Sequence, residues 1–190
     1  MFKNLTDHIN KFVPLTEEEQ GLLHARLVHK RLSKNEYLLE QGQICRANYF
    51  ILKGCLRLYF LKDNGNKQII MFAIENWWMT DYMSFLQKLP SGYFIQAVED
   101  TDVACIEDSV QEELFAEVPK LEKYFRIVLE KFHSASLMRL QYIYDKSPED
   151  RYHHFVRSFP SFVQRIPQYM LASYLGFTPE FLSKIRGKNG

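Results

Sequence analysis

A chain of 190 residues with 46% apolar and 15% aromatic side chains can bury a core without disulfide or metal staples, as one large domain or two small ones. A formal net charge of +1 excludes a protein coated along its length by nucleic acid, which would be more basic. The charge is uneven: from Ser147 onward six Lys/Arg stand against three acids, a balance of +3 that leaves −2 for residues 1–146 and suits a small basic end on a near-neutral body.

The first segment reads as two short helices. Residues 2–12 are weakly amphipathic and stop before Pro14, and Thr16-Glu17-Glu18-Glu19 then forms a capping box ahead of Leu22, Leu23 and Leu27. From Asn35 the period changes. Residues 36–41, 47–53, 55–62, 67–74 and 93–106 are runs rich in Ile, Leu, Phe, Tyr and Val, divided by Gly42, Gly54, Asp63-Asn64-Gly65-Asn66 and Pro90-Ser91-Gly92. Asn-Gly between apolar runs signals a hairpin, and strands at this spacing suggest an antiparallel barrel or double sheet. Trp77-Trp78 reads either as core at a strand end or as the wall of a ligand pocket.

Helix returns at Ser109-Val-Gln-Glu112, a second capping box, and runs to Val118. Pro119 breaks the pattern. Residues 120–144 then contain no Gly or Pro and give a helix about 37 Å long. Phe125, Leu129, Phe132, Leu140 and Ile143 form an apolar stripe on it, with Ser136 filling the line. Such a stripe needs more surface than a small barrel offers, and a second copy of the same helix is the economical partner. The expected interface is Phe125, Leu129, Phe132, Ser136 and Leu140. Ser147-Pro148 with Glu149-Asp150 reopens helix by a hydroxyl cap, an N1 proline and acids at the positive end.

Residues 165–186 combine features of a helix-turn-helix. Pro167 can open a short helix, Gly176 sits where the chain must turn, and Thr178-Pro179 caps a second helix. Ala172 is small enough for close approach. Leu182 and Ile185 can face the first helix, which leaves Glu180, Ser183, Lys184 and Gly187 on the outer face. A polar outer face on the second helix is the layout that reads DNA bases.

Cys45, Cys55 and Cys105 are widely spaced with no Cys-x-x-Cys, so they read as buried free thiols of a cytoplasmic protein rather than a zinc knuckle or redox dithiol. His24 and His29 are five apart and His153-His154 adjacent, spacings that do not make a metal pair. No cofactor or metal is expected. The opening residues have no apolar leader core, and the run Ile69 to Ile74 is far short of a membrane span. No Gly-rich phosphate loop, His-Glu-x-x-His or nucleophile elbow occurs, so catalysis is not expected.

Helices, a strand-rich roll, one long helix and a helix-turn-helix together resemble the Crp/Fnr family of bacterial transcription regulators over nearly the whole chain. The resemblance implies an α+β fold. An antiparallel, jelly-roll-like cyclic-nucleotide-binding domain would span residues 1–118, a dimerisation helix 119–146 and a C-terminal helix-turn-helix 147–190. Thr178-Pro179-Glu180-Phe181-Leu182-Ser183-Lys184 matches the start of the recognition helix. It implies base contacts from Glu180 and Lys184, with Thr178, Ser183, Arg186 and Lys188 beside them. A carboxylate can accept from the cytosine amino group and an ammonium can reach guanine O6 and N7, each worth about 1–3 kcal/mol of discrimination.

Three departures from the family pattern follow. An arginine common in the family is replaced by Pro179. The phosphate cassette, Gly-Glu then Arg-Ser or Arg-Thr in cyclic-nucleotide binders, is here Thr80-Asp81 and Ser91-Gly92, with Tyr93 next. Without the arginine a cyclic phosphate has little to hold it, so cyclic AMP and cyclic GMP are expected to bind weakly or not at all. Only Gly187-Lys188-Asn189-Gly190 follows the recognition helix, so the usual wing is expected to be missing, with Arg186 and Lys188 supplying phosphate contacts. Oxygen-sensing relatives use an N-terminal cysteine cluster, and no cysteine precedes Cys45. The implied partners are double-stranded DNA, a second copy of the chain, RNA polymerase and an unidentified small-molecule effector. The alternative is a small-molecule-binding module whose terminal helices are vestigial.

Overall fold

Thr16 does at the start of helix α2 (Glu17–Arg26) what its spacing to Glu19 requires. Its hydroxyl accepts from the Glu19 N–H at 3.2 Å, and its own N–H donates to Glu19 Oε2 at 2.7 Å. The same carboxylate receives Lys120 Nζ at 2.8 Å, and that bond, with the Thr16 N–H, holds Glu19 below the usual carboxylate range. The structure, a computed structural model, describes residues 1–187. It divides into two compact units, Met1–Phe60 with Met71–Leu129, and Leu61–Ile70 with Glu130 onward.

In the first unit, α1 (Lys3–Asn10) and α2 precede two four-stranded antiparallel sheets, although the strand residues within Leu61–Ile70 belong to the second unit. One has the order β1-β8-β3-β6 and the other β2-β7-β4-β5. The strands are β1 (Val28–Leu32), β2 (Tyr37–Leu39), β3 (Ala47–Lys53), β4 (Cys55–Leu61), β5 (Lys67–Ile74), β6 (Trp78–Met79), β7 (Phe94–Ala97) and β8 (Thr101–Glu107). The strand-rich region is therefore a double sheet. The alternation of the sequence places most boundaries, with three exceptions, the first being the two-residue β6, which lies in none of the expected runs. β1 pairs with β8 from Val28↔Cys105 to Leu32↔Thr101, although the expected strands began only after Asn35. Its His29-Lys30-Arg31 run is hydrophilic on both faces, so the strand owes its existence to the partner rather than to its own pattern. The run 93–106 is two strands in different sheets, because Val98-Glu99-Asp100 turns the chain from β7 into β8.

Gly54, between β3 and β4, has φ +99, and an added Cβ would lie 2.7 Å from the Asp100 carbonyl oxygen. Glycine is required there by backbone angle and by space alike.

A helix the sequence reading missed, α3 (Tyr82–Gln87), follows β6, and its N-cap is Asp81. The expected capping box at Ser109 is absent. α4 (Asp108–Glu117) begins two residues earlier, directly off β8, so Ser109 is already inside the helix, and Glu107 at the cap makes no side-chain bond. Asp108, in the first turn, pairs instead with Lys88, which suits the helix dipole.

The core gathers Leu5, Ile9, Leu23, Phe50, Leu114, Leu121, Tyr124 and Phe125. Trp78 packs edge-on to Phe50 and tilted against Phe125, ring centroids 5.2 and 5.0 Å away, and its indole N–H donates to Tyr124 Oη at 2.8 Å. Tyr124 Oη also shares a 2.7 Å hydrogen bond with His8 Nδ1, so the buried phenol is satisfied on both sides. Trp78 is thus a partly buried residue packed against the core, while Trp77 is exposed. Cys45, Cys55 and Cys105 are free and buried, as expected.

Helix α5 (Lys120–Asp145) has 26 residues and begins in the first unit. In the second unit it is followed by α6 (Pro148–Ser158), α7 (Pro160–Arg165), α8 (Gln168–Leu175) and α9 (Pro179–Gly187). Ser147 caps α6 as its position predicts, its Oγ accepting from the Asp150 N–H at 3.2 Å. α7 was not foreseen, being a helix of only six residues opened by Pro160. Pro167 is the residue before α8, one position earlier than expected, with ψ 142 in the extended range. Phe162, Ile166, Met170, Leu171, Ala172, Leu182 and Ile185 are buried in this unit. No helix among the described residues is long and apolar enough to cross a membrane.

Candidate nucleic-acid interface and effector pocket

The α8–α9 corner is built by three local devices. Gly176 ends α8 with φ +82, its N–H returning to Ser173 O at 3.2 Å, and the Phe177 N–H reaches Ala172 O at 2.9 Å. This closes the last carbonyls of α8 through a left-handed residue. Thr178 then caps α9, its Oγ1 accepting from the Phe181 N–H at 3.2 Å, with Pro179 first in the helix. Leu182 and Ile185 are each 1% exposed and lock α9 to its unit, while Ala172 is fully buried.

With Leu182 and Ile185 turned inward, the remaining side of α9 faces solvent. Thr178, Glu180, Ser183, Lys184 and Arg186 are all exposed, as is Gly187. Lys188 lies outside the described residues. Glu180 and Lys184, four apart, share one face. Its own backbone N–H and then the Thr178 hydroxyl hold the Glu180 carboxyl below the usual range, so it is a pure acceptor at neutral pH. Phe181 is partly exposed beside them, its ring 5.6 Å from that of Phe177.

The structure brings Asp81 and Ser91 together. Asp81 is 6% exposed. Its Oδ1 accepts from the N–H groups of Met83 at 3.1 Å and Ser84 at 3.3 Å, and its Oδ2 accepts from Ser91 Oγ at 2.7 Å. Ser91 Oγ in turn accepts from the Tyr93 N–H at 2.9 Å. All the hydrogen-bond partners of Asp81 among the described residues are neutral donors. Gly92 is exposed and Tyr93 half-buried, its ring edge-on to Phe60. The capping role of Asp81 was legible in principle, since Asp followed by a short apolar segment is an N-cap pattern.

The stripe expected on α5 divides in two. Leu129, Phe132 and Leu140 are exposed and Ser136 half-buried, its Oγ donating to Phe132 O at 2.9 Å. Phe125 departs from the expectation. It is 6% exposed and packed against Trp78, Phe115 and Tyr124, so its own unit already covers it. Leu137, Met138, Ile143 and Tyr144 add to the exposed apolar surface.

Residues 29–118 match the family described as the cyclic nucleotide-binding domain. Over 193 aligned residues the chain is 24% identical to the anaerobic regulatory protein of Haemophilus influenzae, covering 93% of this chain and 73% of that one. Among solved structures, one described as a crp/fnr-family transcriptional regulator from Eubacterium rectale superposes with a TM-score of 0.72 at 18% identity, covering 92% of this chain and 83% of that one. FixK2 from Bradyrhizobium japonicum gives a TM-score of 0.71 at 16% identity, over 85% of this chain and 83% of its own. Residues 29–118 are therefore similar to a cyclic nucleotide-binding domain, and the chain shares the fold of these solved structures.

Proposed function

We propose that this chain is a homodimeric, sequence-specific DNA-binding transcription regulator of the cytoplasm whose roll does not respond to cyclic AMP. The observation that supports it most is the solvent-facing side of α9, where Glu180, Ser183 and Lys184 stand clear while Leu182 and Ile185 are buried. An ionised carboxylate and an ammonium four residues apart can accept from a cytosine amino group and donate to guanine O6 and N7 across adjacent base pairs. Thr178, Arg186 and, further along the sequence, Lys188 supply phosphate contacts, which position the helix without specifying sequence.

The exposed apolar residues of α5 support the dimer. Leu129, Phe132 and Leu140 with Ser136 line one side at steps of three and four, the spacing that packs a helix on a copy of itself. Two such copies would offer two recognition helices to half-sites about one DNA turn apart, related by a two-fold axis.

The bonding of Asp81 and Ser91 supports the reading that a cyclic nucleotide is not the effector. Asp81 is a buried carboxylate whose oxygens already accept from Met83, Ser84 and Ser91. A cyclic phosphate entering there would meet like charge, with no guanidinium at the position of Ser91. Binding of cyclic AMP is expected at millimolar levels or not at all, and micromolar binding in a calorimetric titration refutes this part.

The experiment for the main reading is selection of bound duplexes from a random pool by the purified chain. A palindromic consensus is expected. Lys184→Ala should then weaken binding by about 1–3 kcal/mol and relax one base position. Selection of no consensus rejects sequence-specific reading.

A further inference from the structure

Three elements of the second unit meet at one set of polar groups. Ser173 Oγ, on α8, donates to Lys67 O at 2.7 Å and accepts from the Ile69 N–H at 3.0 Å. Gln68 Nε2 donates to Ser173 O. Arg139, on α5, donates from one guanidinium nitrogen to Ile70 O and from another to Tyr174 O at 3.0 Å, with its guanidinium carbon 4.3 Å from the centre of the Tyr174 ring.

Several of these bonds answer backbone groups that their own elements leave open. β5 is an edge strand, and residues two apart on a strand turn their N–H and C=O to the same side. The Ser173 hydroxyl therefore takes the pair of edge groups that another strand would take. Tyr174 is next to last in α8, where carbonyls have no helical partner. The rigid fork of Arg139 spans that carbonyl and the strand carbonyl of Ile70 at once, which a single ammonium has no geometry to do.

We propose that this junction sets the angle between α5 and the α8–α9 pair, and thereby the spacing of the two recognition helices in the dimer. Arg139 and Ser173 are positioning residues in that account, which rests on the DNA-binding reading above. The chain itself fixes the angle poorly. Between Asp145 and Gln168 run two short helices with prolines at 148, 160 and 167. α5 bears the apolar stripe that faces the second copy, and α9 bears the base-facing groups. A rotation of α8 against α5 therefore changes the distance between the two copies of α9, while the duplex fixes that distance at about 34–36 Å.

Spacing tolerance tests this directly. Fluorescence anisotropy would compare the selected palindrome, the same palindrome with one base pair inserted at its centre, and a single half-site. For the unmodified chain the insertion should weaken binding sharply. Ser173→Ala and Gln68→Ala should each shrink that penalty by about fivefold, the equilibrium effect of one hydrogen bond, with half-site affinity unchanged. Ser173→Thr, which keeps the hydroxyl, should restore the penalty, and Arg139→Lys should not preserve it. Gln68 is half-buried near the tip of the β4–β5 hairpin, so its variant remains informative if Ser173→Ala does not fold. An insertion penalty equal to that of the unmodified chain in both alanine variants overturns the inference while leaving DNA reading intact. If the unmodified chain selects no palindrome, the DNA-binding reading falls and takes this one with it.

Discussion

Leu140 and Phe125 lie on the same helix, and their variants should fail in different ways. Leu140 is 49% exposed, and Phe125 is 6% exposed. Fully burying a leucine is worth about 1.5–3 kcal/mol. The half still open on Leu140 therefore offers about 1 kcal/mol per copy when a second α5 covers it. A symmetric dimer counts the residue twice, so Leu140→Ala should cost about 2 kcal/mol of association, roughly a 30-fold rise in dimer Kd. Phe132, 46% exposed, should behave alike. Each monomer should melt almost as before, because neither side chain contributes much to its own core. Phe125→Ala should do the opposite. It empties a site between Trp78, Phe115 and Tyr124 and should cost about 3–5 kcal/mol of folding stability. Sedimentation equilibrium over a range of concentrations reads the first effect and urea unfolding the second. An unchanged dimer Kd in both Leu140→Ala and Phe132→Ala would refute the assignment of this face to a second copy.

Gly176→Ala and Gly54→Ala separate backbone strain from steric conflict. An alanine at Gly176 meets nothing within 4 Å and bears only the left-handed backbone, about 1–2 kcal/mol. At Gly54 it also meets the Asp100 carbonyl oxygen and Thr101 Cα at 2.7 Å, so its loss in urea unfolding should exceed about 3 kcal/mol; equal losses would contradict the geometry. His24 is held below its ordinary 6.5 by burial and then by the terminal ammonium. Its unfolded form takes up a proton first as pH falls through 6.5, so stability should decline in that window and be present above it. His24→Gln should flatten the profile, and an unchanged slope would rule out this histidine as its source. Burial pushes the Cys105 thiol up to about 12, and Cys45 and Cys55 are fully buried. At about pH 8 a disulfide-exchange reagent should label none of the three until denaturant is added, and rapid native labelling would contradict their burial.

Local chemistry made much of this molecule legible before any coordinates. Thr16 with Glu19, Ser147 with Pro148, Gly176, and Thr178 with Pro179 mark element ends because a hydroxyl, a ring or a missing Cβ satisfies a backbone need within a few residues. The polar side of α9 was readable for the same reason, since burying Leu182 and Ile185 leaves only one face for Glu180 and Lys184. Where pattern and partner disagreed, the partner decided. Val28–Leu32 has no apolar alternation and is a strand only because β8 pairs with it. Ser109 failed as a cap because β8 leaves no loop before α4.

Apolar spacing set Phe125 and Leu140 on one stripe, since helical period is a property of the chain. Spacing has no information on which of them a core will reach, and only the packing of Trp78 against Phe125 separates them. Asp81 was visible as a carboxylate, and its capping of Met83 and Ser84 is local, but its acceptance from Ser91 Oγ depends on a turn ten residues downstream folding back to it. The junction of Ser173 and Arg139 with Lys67, Gln68, Ile69 and Ile70 lies further still from sequence. Its bonds join residues as much as 106 apart, and no local preference encodes a hydrogen bond to a strand edge that tertiary folding alone delivers.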